Sequence, residues 1–346
     1  MPARQTHPAE RGRSSTVRTV LLGGVMAACV IAGLLLVVSR GDKPPIRDAE
    51  ALGRLCQSGL DEMAAGRPEA ALRLFDAVLR EDPDSVPVLV NRSWALNRLR
   101  RHTRAINDAD RALELDPDCT PAMIQRAAAL LGRKRAAEAL ETIDEALRRD
   151  SGRAAAWVVK ANALVALGED CWPDARSCYD KALAIASDLV EARVGKGWLL
   201  NRMGEYDAAM ACHRRAVAHA RRDADVWRIG IYAVMQKDPQ AAPVEMIEEA
   251  IALVPGNAAL WSDKGLALYR HGRHDRALDC VDAALRLDSG LVAAWNNKAL
   301  VLEALGDQSG ALRALDRALL LEPGYGPAIE NSRRLRALQT PQPGPQ

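Results

Sequence analysis

Histidine and cysteine side chains are the residues of this chain best suited to bind a metal ion or to act in catalysis. His271 and His274 lie three residues apart, but they flank a turn rather than share one helix face. The seven cysteines are odd in number and scattered, so their spacing defines no disulfide framework. The sequence contains neither a nucleophile beside a base nor a cluster with metal-ligand spacing. We therefore predict no catalytic residues, no metal site, no cofactor and no enzymatic activity.

The composition favours long helices and gives no sign of a nucleic-acid partner. Of the 346 residues 49% are apolar, alanine and leucine dominate, and Phe75 is the single phenylalanine. Charged residues make up 27% of the chain, yet the formal net charge is only +2. Such a balanced charge does not favour binding to a polyanion, so we expect no nucleic acid among the partners.

Rare and small residues recur at one fixed interval along the chain. Trp157, Trp227, Trp261 and Trp295 are separated by 70, 34 and 34 residues. Two series of alanines follow the same interval: Ala71, Ala105, Ala139, Ala175, Ala209, Ala277 and Ala311, and Ala112, Ala146, Ala182, Ala216, Ala250, Ala284 and Ala318. A period of 34 residues predicts an array of repeats, each of which buries its apolar face by stacking on its neighbours.

The repeats can be delimited when Pro83 is taken as position 32 of a 34-residue unit. Eight repeats then cover residues 52–325, namely 52–85, 86–119, 120–153, 154–189, 190–223, 224–257, 258–291 and 292–325. Each shows two apolar-periodic helices, at about positions 2–14 and 18–30. A glycine at position 15 in five repeats predicts a turn with positive φ between the helices: Gly66, Gly168, Gly204, Gly272 and Gly306.

This pattern resembles the tetratricopeptide repeat family. Residues 292–325 match it best, through Trp295, Ala299, Gly306, Ala311, Ala318 and Pro323. The resemblance implies an all-α fold, a right-handed superhelical α-solenoid of eight antiparallel helix pairs. A further helix at 326–339 carries charged residues and is expected to cap the last repeat.

Three departures from the pattern are expected to give the array its individual features. Arg193 stands in repeat 5 where tryptophan is usual. Repeat 6 has Ile231 at a small-residue position and Pro243 at an alanine position, which predicts a distorted repeat whose second helix starts near that proline. Repeat 4 carries two extra residues within 169–174, which lengthen the turn between its helices. A disulfide between Cys171 and Cys178 would require this insert to fold back in an oxidising compartment.

The N-terminal segment has the length and composition of a membrane-spanning helix. Residues 19–38 contain no charge, and twenty helical residues span about 30 Å, the thickness of the hydrocarbon core. A cleaved signal peptide is the main alternative, but its apolar region is shorter, about 7–15 residues. We predict a basic tail at 1–18, a transmembrane helix at 19–39 in contact with the lipid bilayer, a linker at 40–51 and a disordered tail at 340–346.

The balance of basic residues around this segment gives an expectation for its orientation. Four arginines precede the apolar run, whereas Arg40, Lys43 and Arg47 follow it. This difference favours a cytoplasmic N-terminus in a single-pass membrane protein, with the repeats on the extracytoplasmic side.

The resemblance also implies where a partner would bind. The family lines a concave groove with its first helices, chiefly through positions 2, 5, 9 and 12. The predicted peptide-binding residues here are Val90, Asn91, Trp94, Ile124, Val158, Asn162, Trp198, Tyr232 and Tyr269. Aromatic and β-branched residues on this face predict an apolar or amphipathic peptide segment of a protein partner. Alternatively, tighter packing of the repeats would hide these residues.

Two charged patterns require a separate interpretation. Asn91-Arg92-Ser93 resembles part of a clamp for a peptide carboxylate, but Cys56 and Leu60 occupy the preceding positions that such a clamp needs, so we expect none. Position 7 is basic in six repeats and position 25 acidic in seven. Two opposite ladders at constant register predict ion pairs between helices rather than a stripe that binds anions.

The anchor, the repeats and the cap leave no segment long enough for a catalytic domain. We therefore predict a membrane-anchored scaffold that binds peptide segments of partner proteins in the groove of the array. The alternative is a non-catalytic subunit, for substrate recognition or assembly, of a membrane-associated enzyme complex.

Overall fold

The computed structural model describes residues 49–238, 241 and 243–339. In these residues the chain forms seventeen α-helices and one short 3-10 helix, Glu169–Cys171, and the expected all-α architecture is confirmed. The α-helices are α1 Ala49–Ala64, α2 Pro68–Glu81, α3 Val86–Arg98, α4 His102–Leu115, α5 Thr120–Gly132, α6 Ala136–Arg149, α7 Ala154–Leu167, α8 Trp172–Ile185, α9 Val190–Arg202, α10 Tyr206–Val217, α11 Ala224–Lys237, α12 Val244–Leu253, α13 Ala258–Arg270, α14 His274–Leu287, α15 Val292–Ala304, α16 Gln308–Leu321 and α17 Gly326–Gln339.

The described residues fall into two compact units. The N-terminal unit, residues 49–171, contains α1 to α7 and the 3-10 helix, and the C-terminal unit, residues 172–339, contains α8 to α17. Within each unit consecutive helices are joined by short turns and pack against one another as antiparallel neighbours. Each unit is therefore a stack of helix pairs, and the division falls inside repeat 4.

The two alanine series form the contacts between helices. All fourteen of these alanines are completely buried. A methyl group is small enough to let two helix backbones approach closely, which is why the array keeps alanine at both positions. Larger apolar residues, such as Phe75, Ile143, Leu199 and Leu260, fill the remaining space and are also buried.

The last helix closes the C-terminal end of the stack. Ala328 and Leu335 of α17 are buried against Ala314 and Leu315 of α16. The opposite side of α17 is exposed and carries basic residues. This amphipathic pattern is what a capping helix requires.

Helix α1 and the insert in repeat 4 depart from what the periodicity predicted, whereas the second helix of repeat 6 begins where it was expected. Helix α1 starts at Ala49, inside the expected linker, because Ala49, Glu50 and Ala51 are favourable helix residues that extend the first turn. The insert in repeat 4 forms the 3-10 helix, and α8 begins directly after it. Helix α12 begins at Val244, next to Pro243 as predicted; the proline is its N-cap residue, and the helix is only ten residues long.

The predicted basic tail at 1–18, the transmembrane helix at 19–39, most of the linker at 40–51 and the tail at 340–346 lie outside the described residues. Among the helices that are described, none has both the length and the apolar character needed to cross a membrane.

Candidate functional site

The recurrent tryptophans at position 4 belong to the framework of the repeats. Each indole Nε1–H donates to the backbone carbonyl six residues earlier, at 2.8–3.0 Å, in Trp157, Trp227, Trp261 and Trp295. This bond holds the first helix of a repeat to the loop that precedes it. In repeat 5 the guanidinium of Arg193 donates to the equivalent carbonyl, of Ser187.

The predicted ion pairs between position 7 and position 25 are confirmed. Six pairs, each separated by 16 residues, have nitrogen–oxygen distances of 2.5–2.9 Å: Arg92–Asp76, Arg126–Asp110, Lys160–Asp144, Lys196–Asp180, Lys264–Glu248 and Lys298–Asp282. Each joins the second helix of one repeat to the first helix of the next. Because every one of these cations has an acidic partner, the ladder stabilises the stack and does not form an anion-binding stripe.

Between repeats 5 and 6 both members of this ladder are replaced. Gly230 occupies position 7, and Arg214 occupies position 25 of the preceding repeat. The buried ring of His213 fills the space, since a Cβ atom added at Gly230 would lie 2.8 Å from it. The ring of His213 packs against that of Trp227 at 5.5 Å with an interplanar angle of 57°, and its Nδ1 lies 2.8 Å from the carbonyl of Val226. Burial lowers the pKa of His213.

In the N-terminal unit, most of the predicted groove residues do not face solvent. Val90, Ile124 and Val158 are buried with at most 9% of their surface exposed, because neighbouring first helices close over them. Asn91 is also buried, with its amide 3.9 Å from Cys56 Sγ. These four residues offer little surface to a peptide. Two other predicted residues of this unit remain accessible: Trp94 is partly exposed and Asn162 is exposed.

The C-terminal unit brings two of the predicted aromatic residues together. The rings of Trp198 on α9 and Tyr232 on α11 lie 5.9 Å apart at an interplanar angle of 59°. Tyr232 is 40% exposed and Trp198 is half-buried. The pair leaves aromatic surface accessible on the face formed by the first helices.

Two residues that sequence reasoning missed complete this cluster. The guanidinium of Arg228 lies 5.5 Å from the ring centre of Trp198, and its Nε donates to Asp263 at 2.8 Å. The Asp263 side chain is only 22% exposed, and burial raises its pKa although the charge of Arg228 opposes the shift. We define Trp198, Arg228, Tyr232 and Asp263 as the aromatic cluster. Arg228 and Asp263 are separated by 35 residues, one repeat plus one position.

The same separation recurs in two more polar contacts of the C-terminal unit. Asn297 donates to the Ser262 hydroxyl at 3.0 Å, and Asn331 donates to the side-chain Oδ1 of Asn296 at 2.9 Å. Position 5 of one repeat thus contacts position 6 of the next three times, counting Arg228 and Asp263. We call these contacts the polar ladder. Its hydrogen bonds fix these side chains, among them Arg228 beside the ring of Trp198.

The remaining predicted residue, Tyr269, lies farther along the same unit. Its ring is half-buried and packs at 5.7 Å against His274. His271, the other histidine of the sequence pattern, instead contacts the backbone carbonyl of Ala267. In the residues that the structure covers, no three histidine, cysteine or acidic side chains are grouped to hold a metal ion. Cys171 and Cys178 are thiols rather than a disulfide.

The family comparison identifies two parts of the chain as tetratricopeptide repeats. Residues 56–119 and 262–326, which together make up a little over a third of the chain, match the tetratricopeptide repeat model. No curated protein matches the chain significantly in sequence.

Solved structures show the same fold at low sequence identity. The APC/C hetero-tetramer Cut9-Hcn1 is similar with a TM-score of 0.66 and 17% identity, over 82% of this chain and 55% of that one. Yeast Tom70 is similar with a TM-score of 0.57 and 16% identity, over 93% of this chain and 72% of that one. The family match and the likeness in fold together support a tetratricopeptide repeat protein, a fold that suggests a scaffold for protein–protein interaction.

Proposed function

We propose that this chain is a protein-interaction scaffold that binds a peptide segment of its partner on the aromatic cluster of the C-terminal unit. The observation that carries the proposal is the contact between the tilted rings of Trp198 and Tyr232, which remain partly accessible on the first-helix face. Large aromatic residues and arginine contribute most of the binding energy in many interfaces.

The surroundings of the pair favour an apolar or amphipathic segment. Leu266 and Leu300 occupy position 9 of the next two repeats, the position held by Trp198 and Tyr232, and both are partly exposed. First helices of successive repeats contact one another in this unit, so the four side chains follow one stripe. An extended or helical peptide could place alternate apolar side chains along it.

Arg228 gives this surface a fixed polar group. Its bond to Asp263 holds the guanidinium over Trp198, so the side chain loses little further freedom when a ligand binds. Its Nη1 also lies 3.7 Å from Asp225, and the guanidinium N–H groups that these two carboxylates leave can donate to a peptide carbonyl or carboxylate. The cluster therefore offers both apolar area and a directed hydrogen-bond donor.

Peptides selected from a random phage-displayed library against the full chain would test this proposal. The double variant Trp198→Ala and Tyr232→Ala should weaken the selected peptides at least about thirtyfold, the effect of removing two central aromatic contacts. Leu287→Ala with Leu320→Ala is the matched control, because both leucines are exposed and lie on second helices. Unchanged affinity in the cluster variant, with its circular dichroism and melting temperature intact, would exclude this surface.

The membrane tether is a separate part of the proposal. It is supported by the uncharged run at residues 19–38, which has the length of a membrane-spanning helix. The tether would concentrate the repeats beside a membrane-bound partner. Extraction of membranes with alkaline carbonate should leave the full chain in the pellet and release a variant that lacks residues 1–39. Release of both forms would contradict the tether.

A further inference from the structure

Two turns of the N-terminal unit hold cationic side chains in an unfavourable backbone conformation. Arg100 and Lys134 occupy position 15 of repeats 2 and 3, with φ angles of 57° and 60°. Five other repeats place glycine at this position, also with positive φ. A side chain in the left-handed region costs about 1 kcal/mol. The two adjacent repeats thus keep a lysine or arginine where glycine would be less strained.

The two turns form one cationic surface. Arg100, Arg101, His102, Arg104, Arg133 and Lys134 line an open depression of about 500 Å³, and we call these six residues the turn patch. His102 joins the turns, because a Cβ atom added at Gly132 would lie only 2.3 Å from its ring. Burial and the nearby charges of Arg100 and Arg133 lower the pKa of His102.

Among the described residues, no carboxylate forms an ion pair with the cationic side chains of the turn patch. Residues 98–104 and 132–135 contain no aspartate or glutamate. Within the described residues none of the five arginine and lysine side chains of the patch forms an ion pair, in contrast to the six paired cations at position 7. All five are exposed, so the patch presents a concentrated positive charge to solvent.

The neighbouring turns limit the size of a ligand. In repeat 1, Arg67 is paired with Glu62, and in repeat 4 the turn carries exposed Glu169 and Asp170. The turns within successive repeats lie along one edge of a stack. A duplex or a bilayer laid along this edge would therefore meet carboxylates one repeat beyond Lys134. A short anionic segment would avoid them.

We propose that the turn patch binds a short acidic segment of a partner protein. This surface is distinct from the aromatic cluster and would give the scaffold a second point of attachment. Recognition would depend on charge, so binding should weaken steeply as the salt concentration rises. The backbone strain at position 15 would thus be tolerated because the cationic side chains there increase the affinity for the acidic segment.

The test measures, by fluorescence anisotropy at low ionic strength, the affinity of the full chain for a fluorescein-labelled octaglutamate peptide. Arg100→Gly with Lys134→Gly restores the residue found in the other repeats and should weaken the peptide about tenfold, the effect of losing two charge contacts. The melting temperature of this variant should be equal to or higher than that of the wild type, so unfolding would not explain the loss.

Arg286→Gln with Arg317→Gln is the matched control, because it removes two exposed charges outside the patch. It should leave the affinity within about twofold of the wild type. Equal peptide binding by the patch and control variants would overturn the proposal. A short DNA duplex and phosphatidylserine vesicles serve as competing ligands. If either binds the wild type more tightly than the peptide does, and this binding is lost in the patch variant, the patch is assigned to that ligand and the proposal is overturned.

Discussion

The two units differ where successive first helices meet, although they share one repeat framework. In the N-terminal unit position 5 is occupied by Cys56, Val90, Ile124 and Val158, all buried and nearly all apolar. In the C-terminal unit the polar ladder takes their place from Arg228 onward. Apart from the contact of Asn91 with Cys56, the N-terminal unit closes this face with apolar packing, whereas the C-terminal unit closes it with hydrogen-bonded polar side chains.

The residues of the framework and those of the proposed binding surfaces therefore occupy separate positions of the repeat. Buried alanines, framework tryptophans and interhelical ion pairs occur in both units and hold the helices together. The N-terminal unit carries its distinctive charge in the turns, and the C-terminal unit carries its aromatic cluster on the helices. A scaffold of this kind can acquire a new surface without changes to its core.

The largest expected effect comes from placing a polar residue in the apolar face. Ile124→Asn should destabilise the N-terminal unit by about 3 kcal/mol, because the buried amide would have no partner and packing would be lost. Ile124 packs in a cluster with Val159, which stands where the polar ladder has a hydrogen-bonding residue. Hydrogen exchange of peptides from residues 120–171 would measure the loss of protection.

The reverse change in the C-terminal unit is the matched comparison. Asn296→Ile removes the acceptor of Asn331, which is half-buried and can be hydrated, so the cost should be only about 1 kcal/mol. Equal costs for the two substitutions would show that the units do not differ in the way proposed here.

The periodicity of the sequence predicts the framework more completely than the site. The burial of fourteen alanines and the formation of six ion pairs follow from the positions of these residues within the repeat, because that position determines which face of a helix meets its neighbour. It does not determine how closely neighbouring helices approach, so Val90, Ile124 and Val158 were expected in a groove and are buried instead. The bond between Arg228 and Asp263 depends on the same approach, which only the folded structure shows.

A smaller loss of stability is expected when the pH is lowered, and His213 should contribute most of it in the C-terminal unit. Its pKa is lowered by burial, so the folded state keeps the ring neutral while the unfolded state, with a pKa of about 6.5, takes up a proton. Stability should therefore fall by at most about 1.4 kcal/mol for each pH unit below that value, until the lowered pKa is reached. Urea unfolding between pH 7 and pH 5.5 would measure the slope.

The variant His213→Phe isolates this contribution. Phenylalanine already occupies the equivalent position in repeat 1, as Phe75, and it does not titrate. The slope assigned to His213 should disappear in this variant. The half-buried His102 of the N-terminal unit should contribute a shallower slope of the same sign, because its pKa is also lowered but its ring is less buried. An unchanged slope in His213→Phe would contradict the assignment.

The smallest expected effect is a gain in stability where repeat 5 departs from the framework. Arg193 makes the carbonyl contact of the usual tryptophan, but its buried Nε has no hydrogen-bond partner among the described residues. Arg193→Trp should keep the contact through the indole N–H, remove the unpartnered group and place a ring near Lys196, as Trp261 does for Lys264. We expect a gain of about 1 kcal/mol, measured by thermal unfolding.

Arg193→Met distinguishes the sources of this gain. Methionine removes the unpartnered nitrogen but cannot donate to Ser187, so it should stabilise the C-terminal unit less than tryptophan does. If methionine proves equal to tryptophan, the carbonyl contact contributes nothing at this position. If both variants lose stability, the space beside α9 accepts only the flexible arginine, and repeat 5 then differs from its neighbours in packing as well as in residue type.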